Sequence, residues 1–301
     1  MQGHEVLLLG HGTIENLDDL SAFLSNIRRG RPSPPELLRE MRRRYEAIGG
    51  SPLLRISREL AGVVEARLGT RVHLAMRFWQ PFAKDVLAGV ASSGCRALAV
   101  VPLAPYSGHV YAGEMERVAD ELAKSGVSPP ALRSAPNWGK EPLLVDAFAS
   151  ALLEALARWP EPRRAAAHVL FTAHSLPLAV VRQGDPYPDE VRATAEAVAA
   201  RAAIPNPWRV VYQSQGATPD PWLGPGVHES LLDVAHQSAT DVVFCPIGFL
   251  SDHIETLYDL DIEARSEAER VGLTFARTAS LNASPKLADA IAAVAHRLVA
   301  A

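Results

Sequence analysis

The amino-acid sequence predicts an α/β fold made of two similar lobes, and three observations lead to this prediction. Short apolar runs alternate with segments of helical periodicity, which is typical of parallel strands that helices cover on both faces. Similar motifs occur in the same order in the two halves of the chain. The length of 301 residues is enough for two domains of about 150 residues each. We therefore expect an internally duplicated chain with lobes at 1–140 and 141–301. Packing of the last helix on the first lobe is an alternative.

The predicted strands are six short apolar runs. Each lacks the polar alternation of a half-exposed strand, so each is expected to be buried on both faces. Because helical segments separate the runs, the sheets are expected to be parallel. The runs are VLLLG (6–10), VHLAM (72–76), ALAVVPLA (97–104), HVLFTAH (168–174), WRVVYQS (208–214) and DVVFCPIGF (241–249).

The segments between these runs carry helix signals. ELLREMRRRYEAIGG (36–50) ends in two glycines, which favours a helix C-cap there. PSPPE (32–36) predicts the start of that helix, since proline is common in a first turn. Apolar residues at helical spacing predict further helices over 118–126, 190–202 and 288–300.

Composition excludes several classes of protein. The net charge of −4 and the pI near 6.2 argue against a nucleic-acid partner, which usually selects basic faces. The two cysteines, Cys95 and Cys245, cannot hold a four-cysteine zinc or iron–sulfur site. Such a low cysteine count also fits a reducing compartment.

The N-terminal segment MQGHEVLLLGHGT does not have the pattern of a signal peptide. It has no basic n-region, and its apolar run covers only Val6 to Leu9. No apolar run approaches the roughly 18 residues that a membrane span requires. We therefore expect a cytoplasmic protein without an integral membrane segment.

Internal repetition places histidines at matching positions in the two halves. VVPLAPYSGHVY (100–111) aligns with FCPIGFLSDHIE (244–255), and VLLLGHG (6–12) resembles VLFTAHS (169–175). Ligands of α/β proteins bind beyond the carboxyl ends of the strands. If the lobes face each other across a cleft, the histidines that follow these strands lie near one pocket. They are His11, His109, His174 and His253.

The segment CPIGFLSDHIETLYDLDIE (245–263) is unusually rich in carboxylates after a buried strand. Glu255, Asp259 and Glu263 are spaced i, i+4, i+8 and would form one stripe on a helix. One interpretation is a solvated acidic face. The other is a row for a divalent cation such as Fe²⁺, Zn²⁺ or Co²⁺, which bind carboxylate and imidazole ligands. A wider helical turn would shift these side chains, and π-bulges occur at functional sites; the sequence leaves its presence open.

Several sequence blocks together resemble the ferrochelatases, which insert Fe²⁺ into a porphyrin in haem synthesis. The blocks follow the family order across nearly the whole chain. The resemblance implies a chelatase-like fold of two Rossmann-like lobes, each with a parallel four-stranded sheet flanked by helices, and a porphyrin in the cleft between them. The blocks are IRRGRPSP (27–34), RRYEAIGGSPL (43–53), TAHSLP (172–177), GDPYPDE (184–190), YQSQGATPDPWLGP (212–225) and GFLSDHIETLYDLDIE (248–263).

The resemblance also implies roles for individual residues. His174 matches the family's catalytic histidine, a proton acceptor and metal ligand, and Glu255 matches the carboxylate opposite it. Asp259 and Glu263 match an acidic row that leads metal toward Glu255. The residues expected at the porphyrin are Arg28, Arg29, Ser51, Trp222 and, from its position after the first strand, His11.

The implied chemistry suits these residue types. A free porphyrin carries two inner N–H protons that must leave as the metal enters, and a neutral histidine with a pKa of about 6.5 is a suitable acceptor. Arginine matches the carboxylates of the ring. We expect a monomeric lyase with Fe²⁺ and porphyrin as substrates, no further cofactor and no iron–sulfur cluster.

Two loops of the first half depart from the family pattern. GHGTI (10–14) and APYSGHVYAG (104–113) are similar to the short chelatases that put Co²⁺ or Fe²⁺ into sirohydrochlorin. Those enzymes keep metal-binding histidines in that lobe, so His11 and His109 become candidate metal ligands. One hypothesis is that His11 binds the metal from the face opposite His174.

Several functions remain open at this stage. The IRRGR block and the TPDPWLGP spelling favour coproporphyrin III over protoporphyrin IX as the substrate. The alternatives are a cobalt or iron chelatase for a sirohydrochlorin-type ring and a non-catalytic tetrapyrrole or metal carrier. A further alternative is a small-molecule binding protein, because periplasmic receptors also have two α/β lobes. The lack of a signal-peptide pattern argues against it.

Overall fold

The computed structural model describes residues 4–216 and 220–300. The chain folds into two compact units. The first unit comprises Met1–Trp138 and Asn282–Ala301, and the second comprises Gly139–Leu281. The last helix of the chain therefore belongs to the first unit.

The first unit contains an all-parallel four-stranded sheet with the strand order β2-β1-β3-β4. Its strands are β1 (His4–Gly10), β2 (Val72–Met76), β3 (Ala97–Pro102) and β4 (Ala131–Ser134). Its helices are α1 (Leu20–Ile27), α2 (Pro35–Ala47), α3 (Leu53–Leu68), α4 (Ala83–Ser92), α5 (Gly108–Lys124) and α13 (Pro285–Ala300), with a 3-10 turn at Leu17–Asp19.

The second unit contains an all-parallel four-stranded sheet with the strand order β6-β5-β7-β8. Its strands are β5 (His168–His174), β6 (Trp208–Gln213), β7 (Asp241–Cys245) and β8 (Thr274–Arg277). Its helices are α6 (Pro142–Leu156), α7 (Arg163–Ala166), α8 (Leu178–Arg182), α9 (Tyr187–Ala202), α10 (Val227–His236), α11 (Ile254–Leu257) and α12 (Arg265–Arg270), and a π-helix (Asp259–Ala264) joins the last two.

The two sheets have the same strand order when the numbering is advanced by four, which confirms the predicted duplication and the α/β fold class. The six apolar runs all form strands. The two strands that the run pattern did not identify, β4 and β8, have the sequences ALRS and TFAR and lie at sheet edges. An edge strand is covered on fewer sides, so its sequence need not be continuously apolar.

Each sheet is buried beneath its helices. In the first unit Leu7, Leu9 and Val100 pack against α4 and α5, and in the second Leu170 and Phe244 pack against residues of α10 and α12. Complete burial of one such side chain contributes about 1.5–3 kcal/mol, so these layers hold the carboxyl ends of the strands in fixed positions.

The last helix is fixed to the first unit by packing and polar contacts. Helix α13 packs on α3 and β3. Arg67 Nε and Asp289 Oδ1 are 2.9 Å apart, and Arg133 Nη1 donates to the carbonyl of Leu298 at 3.0 Å. Within residues 4–216 and 220–300, the structure contains no helix of the length and apolarity needed to cross a bilayer.

Candidate active site

The carboxyl edge of the second sheet brings together the segments that the sequence singled out. Strand β5 ends at His174, which lies beside Gln213 in the register with β6. Strand β7 ends at Cys245, and the loop after it leads to α11 and Glu255. Carboxyl ends of parallel strands share one edge, which is where α/β proteins bind ligands.

His174 and Glu255 are in direct contact at this edge. His174 Nδ1 and Glu255 Oε2 are 2.8 Å apart. Because an ionised carboxylate only accepts hydrogen bonds, Nδ1 carries the proton in this pair, and Nε2 is the nitrogen with a lone pair. The side chains are 38% and 28% exposed, so both can be reached from solvent. The family resemblance implied a carboxylate opposite the histidine, and the structure joins the two side chains by one hydrogen bond.

The surroundings of His174 raise its pKa. Burial lowers the pKa of the imidazole, but the charge and hydrogen bond of Glu255, with a further contribution from the charge of Asp259, outweigh burial and leave it above the ordinary value of 6.5. The protonated imidazole is therefore stabilised by the acidic segment beside it.

Backbone contacts hold both members of the pair. Tyr187 Oη donates to the carbonyl of His174 at 2.9 Å, and Gln213 Nε2 donates to the carbonyl of Glu255 at 2.8 Å. Tyr187 is buried, and Asp185 Oδ1 accepts from its backbone N–H at 2.9 Å. The GDPYPDE block thus forms a turn and helix start whose tyrosine supports His174.

The Trp222 loop is attached to the turn that follows His174. Pro177 and Trp222 form an antiparallel bridge, and Ser175 Oγ donates to the carbonyl of Leu223 at 2.8 Å. The Trp222 ring lies against Gly216, where an added Cβ would come within 2.7 Å of ring atoms. Part of this sequence block, residues 217–219, lies outside the described residues.

The acidic row lies partly on the π-helix, the wider turn that the sequence left open. The backbone N–H of Glu263 donates to the carbonyl of Tyr258 at 3.0 Å, an i→i+5 bond. Ser214 Oγ donates to Asp259 Oδ2, and Glu263 is exposed. The row therefore runs from the partly buried His174–Glu255 pair to the surface of the second unit.

Two other carboxylates of the segment have an arginine partner. Arg277 Nε and Nη2 donate to the two oxygens of Asp261 at 2.8 and 2.6 Å, and Nη2 also approaches Asp252 Oδ1 at 3.3 Å. The segment itself contains no arginine or lysine, so the sequence did not reveal this compensation. The two ion pairs lower the net charge that the other carboxylates feel.

His253 is held inside the segment. Its Nδ1 lies 3.0 Å from the carbonyl of Ser251, to which it donates, and its ring packs on Phe249 at 4.9 Å between centroids. Burial lowers the pKa of His253, and the nearby charge of Glu255 offsets this only in part. The start of α11 is capped instead by Thr256, whose Oγ1 accepts from the backbone N–H of His253 at 3.0 Å.

The remaining predicted residues belong to the first unit. His11 follows β1, is exposed and packs on Phe78 at 4.7 Å between ring centroids. His109 is exposed in the first turn of α5. The others are Arg28 at the end of α1, Arg29 with a positive φ of 56°, and Ser51, whose Oγ accepts from the backbone N–H of Leu53 at 3.4 Å.

Three residues around the pair were not identified from the sequence: Tyr187, Gln213 and Arg277. Each contacts a residue on another element, so no spacing within one helix or strand indicates it. Only the family-like blocks around Tyr187 and Gln213 were a signal. Across the described ranges, no group of three or more His, Cys, Asp or Glu side chains is arranged to hold a metal ion.

Known proteins are similar to this chain over nearly its whole length. A family model described as Ferrochelatase matches residues 4–298. The chain is 34% identical over 296 residues to a protein of Herpetosiphon aurantiacus named Ferrochelatase, covering 96% of this chain and 97% of that one. It is 33% identical over 299 residues to a protein of Bacillus subtilis named Coproporphyrin III ferrochelatase, covering 96% of each chain.

Solved structures share the fold at low sequence identity. SirB from Bacillus subtilis, solved with Fe³⁺, has a TM-score of 0.59 and 12% identity, with 99% of this chain and 96% of that chain covered. A multi-domain protein from Deinococcus radiodurans has a TM-score of 0.57 and 16% identity, with 97% of this chain and 54% of that chain covered. These likenesses confirm a chelatase-like fold.

Proposed function

The chain belongs to the ferrochelatase family, and on that premise we propose that it inserts Fe²⁺ into coproporphyrin III with His174 and Glu255 as its catalytic pair. The observation that carries the proposal is the 2.8 Å contact between His174 Nδ1 and Glu255 Oε2 at the carboxyl edge of the second sheet. The reaction is that of a lyase in haem synthesis that forms nitrogen–metal bonds.

The pair suits the proton chemistry of insertion. Two inner N–H bonds of the porphyrin break as bonds from nitrogen to iron form, so two protons leave for each Fe²⁺ that enters. His174 Nε2 accepts a proton from the ring, and Glu255 stabilises the resulting imidazolium through Nδ1–H. The proton then passes to the Glu255 carboxylate or to solvent, which returns His174 to its neutral form for the second step.

The acidic row suits the supply of metal. Asp259 begins the π-helix, so along the chain it lies between Glu255 in α11 and the exposed Glu263. Carboxylate oxygens are suitable ligands for a hydrated Fe²⁺ in transit. We therefore assign Asp259 and Glu263 to metal delivery and His174 with Glu255 to the insertion step.

The porphyrin contacts carry over by position. Arg28 and Arg29 can pair with ring carboxylates because the guanidinium fork matches a carboxylate. Support for Arg28 comes from its Nε, which is buried and has no hydrogen-bond partner among the described residues. Ser51, Trp222 and His11 complete the proposed set.

The choice of coproporphyrin III has two supports. The IRRGR and TPDPWLGP spellings favour it. Relatives from a Geobacillus species and from Bacillus subtilis, 35% and 33% identical to this chain, are named Coproporphyrin III ferrochelatase.

The test is anaerobic Fe²⁺ insertion with coproporphyrin III and protoporphyrin IX side by side, followed by absorbance. We expect faster turnover of coproporphyrin III, and loss of turnover in His174→Ala but not in His168→Ala, a control at the opposite end of the same strand. Turnover of neither porphyrin by the wild-type protein would refute the function. Equal turnover of both would refute only the substrate preference.

The first-unit histidines are tested in the same assay. We assign His11 and His109 as additional metal contacts. His11→Ala and His109→Ala are expected to raise the KM for Fe²⁺. Unchanged metal affinity and turnover in both variants would remove these residues from the site.

A further inference from the structure

A largely buried arginine bonds to two points of the acidic segment. Arg277, the last residue of β8, has a side chain only 10% exposed. It makes a two-pronged bond to Asp261, with distances of 2.8 and 2.6 Å, and reaches Asp252 at 3.3 Å. Asp252 precedes α11 and Asp261 lies within the π-helix, so one guanidinium spans both ends of the turn that contains Glu255 and Asp259.

The guanidinium is itself held in place. Arg277 Nη1 donates to the carbonyl of Thr278 at 3.2 Å and to Ser280 Oγ at 3.0 Å. Ser280 Oγ in turn donates to Asp252 Oδ1 at 2.7 Å, which closes a ring of hydrogen bonds. A planar fork with this many partners is fixed in position and orientation.

Two features of the acidic segment make it unstable without the contacts of Arg277. A π-helical turn is rare and forms mostly as a short interruption of an α-helix. Carboxylates that lie on one helix face also repel each other. The charges of Asp252 and Asp261 would add to that repulsion if Arg277 did not offset them.

We propose that Arg277 is a positioning residue for metal insertion, which sets the register of Glu255 and Asp259 relative to His174 by holding Asp252 and Asp261. This inference rests on the proposed function. It divides the carboxylates of the segment into two sets: Asp252 and Asp261 bind the arginine and do not handle metal, whereas Glu255 and Asp259 meet His174 and Ser214.

The second sheet supplies a matched control. At the first residue of β7, Asp241 receives the same two-pronged bond from Arg163, with distances of 2.7 and 2.6 Å, and Arg163 also donates to Thr274 at the start of β8. This pair lies at the amino edge of the sheet, away from His174. Loss of this ion pair should perturb β7 and β8 but leave the contacts of the acidic segment in place.

The experiment compares Arg277→Met and Arg277→Lys with Arg163→Met under steady-state conditions. Small misplacements of catalytic groups can cost about 100-fold in rate, so we expect kcat/KM for Fe²⁺ to fall by about that factor in Arg277→Met. The KM for porphyrin should stay near the wild-type value. Arg163→Met should leave both kcat/KM for Fe²⁺ and the KM for porphyrin near wild type, although it lowers thermal stability.

Two further measurements guard against a merely structural effect. Arg277→Lys keeps the charge but lacks the fork, so it should fold and still lose kcat/KM for Fe²⁺. Asp261→Asn should give a similar loss, and the double variant Arg277→Met, Asp261→Asn should lose little more than either single variant. Amide hydrogen exchange over 252–264 should accelerate in Arg277→Met and stay unchanged in Arg163→Met.

Several results would overturn the inference. They are wild-type iron kinetics in both Arg277 variants, an equal kinetic loss in Arg163→Met, or unchanged exchange over 252–264. A wild-type protein that inserts no iron into either porphyrin refutes the proposed function instead, so the two failures are distinguishable.

Discussion

The helices that follow β3 and β7 occupy matching places in the repeat but differ in both regularity and chemistry. The helix α5 is a regular α-helix, and it buries Tyr111 and Met115 against the first sheet. Continuing the alignment of 100–111 with 244–255, the positions that match Tyr111 and Met115 are Glu255 and Asp259. One unit therefore uses this stripe for its core, and the other fills it with carboxylates.

The π-helix explains how the second unit keeps a core despite this change. The buried residues of α5 after Tyr111 are Met115, Val118 and Leu122, which align with positions 259, 262 and 266. The second unit instead buries Leu260, Ala264 and Ala268, which lie one or two positions later. An i→i+5 turn takes up one additional residue. The apolar stripe is displaced toward the C-terminus, which allows Asp259 to bond Ser214 instead of entering the core.

The histidines follow the same division. His174 meets Glu255 at 2.8 Å, whereas the residue matching Glu255 in the first unit is the buried Tyr111, over which Arg77 lies at 4.8 Å from the ring centroid. Both units thus have the same sheet and a histidine after its first strand. At the position where the second unit has the carboxylate of Glu255, the first unit has Tyr111.

The largest expected effect comes from removing the second unit's pair. General acid–base groups contribute about 10²–10⁴ in rate, so His174→Ala should lower kcat by a factor in that range, and His11→Ala should lower it less. Steady-state Fe²⁺ insertion by the two variants measures this. A greater loss of kcat in His11→Ala would reverse the assignment of the two units.

The pH dependence should depend on the carboxylate that only the second unit has at this position. Because the pKa of His174 lies above 6.5, the acid limb of kcat/KM should also lie above pH 6.5. Glu255→Gln removes the charge that raises this pKa and leaves burial, which lowers it, so the limb should move to lower pH. The pH–rate profile, with NMR titration of the imidazole, tests this; a limb that does not move would contradict it.

The same raised pKa has a consequence for stability. A folded-state pKa above the unfolded value stabilises the fold below about pH 6.5, and this contribution is lost as pH rises through the folded pKa. Glu255→Gln should therefore reduce the stability difference between pH 6 and pH 9. Urea unfolding at the two pH values measures it, and because burial lowers the pKa of His168, His168→Ala should change this difference in the opposite direction.

A glycine next to the pair offers a smaller test. Gly248 aligns with Ala104 of the first unit, and a Cβ on Gly248 would lie 2.7 Å from Ala173 Cα. Gly248→Ala should therefore cost about 1–3 kcal/mol in the free energy of unfolding, as overpacked sites do. Chemical denaturation measures the change. A stability equal to wild type would mean that the loop after β7 has room that the structure does not show.

The smallest expected effect is at Tyr187. Tyr187→Phe removes the hydrogen bond to the carbonyl of His174 and should cost about 1 kcal/mol of stability, typical of one such bond. Thermal unfolding gives the stability, and kcat should fall only severalfold because Glu255 still orients the ring. A loss of activity as large as in His174→Ala would mean that Tyr187 has a role beyond support.

The sequence alone determined the six sheet-forming runs and the C-terminal ends of α2, α9 and α13, because each depends on local patterns. Helix α2 ends just before Gly49 and Gly50, both with positive φ, as the two glycines predicted. His174 and Glu255 were identified from residues beside strand ends and from family-like blocks.

Only the tertiary structure decided how those residues are held. The partners of the acidic segment, Gln213 and Arg277, come from the strands β6 and β8, and the placement of α13 in the first unit depends on packing against α3. Spacing along the chain reports which side chains share a face of one element. It does not report which distant strand supplies the donor or charge that the face requires, because that depends on strand order and register in the folded sheet.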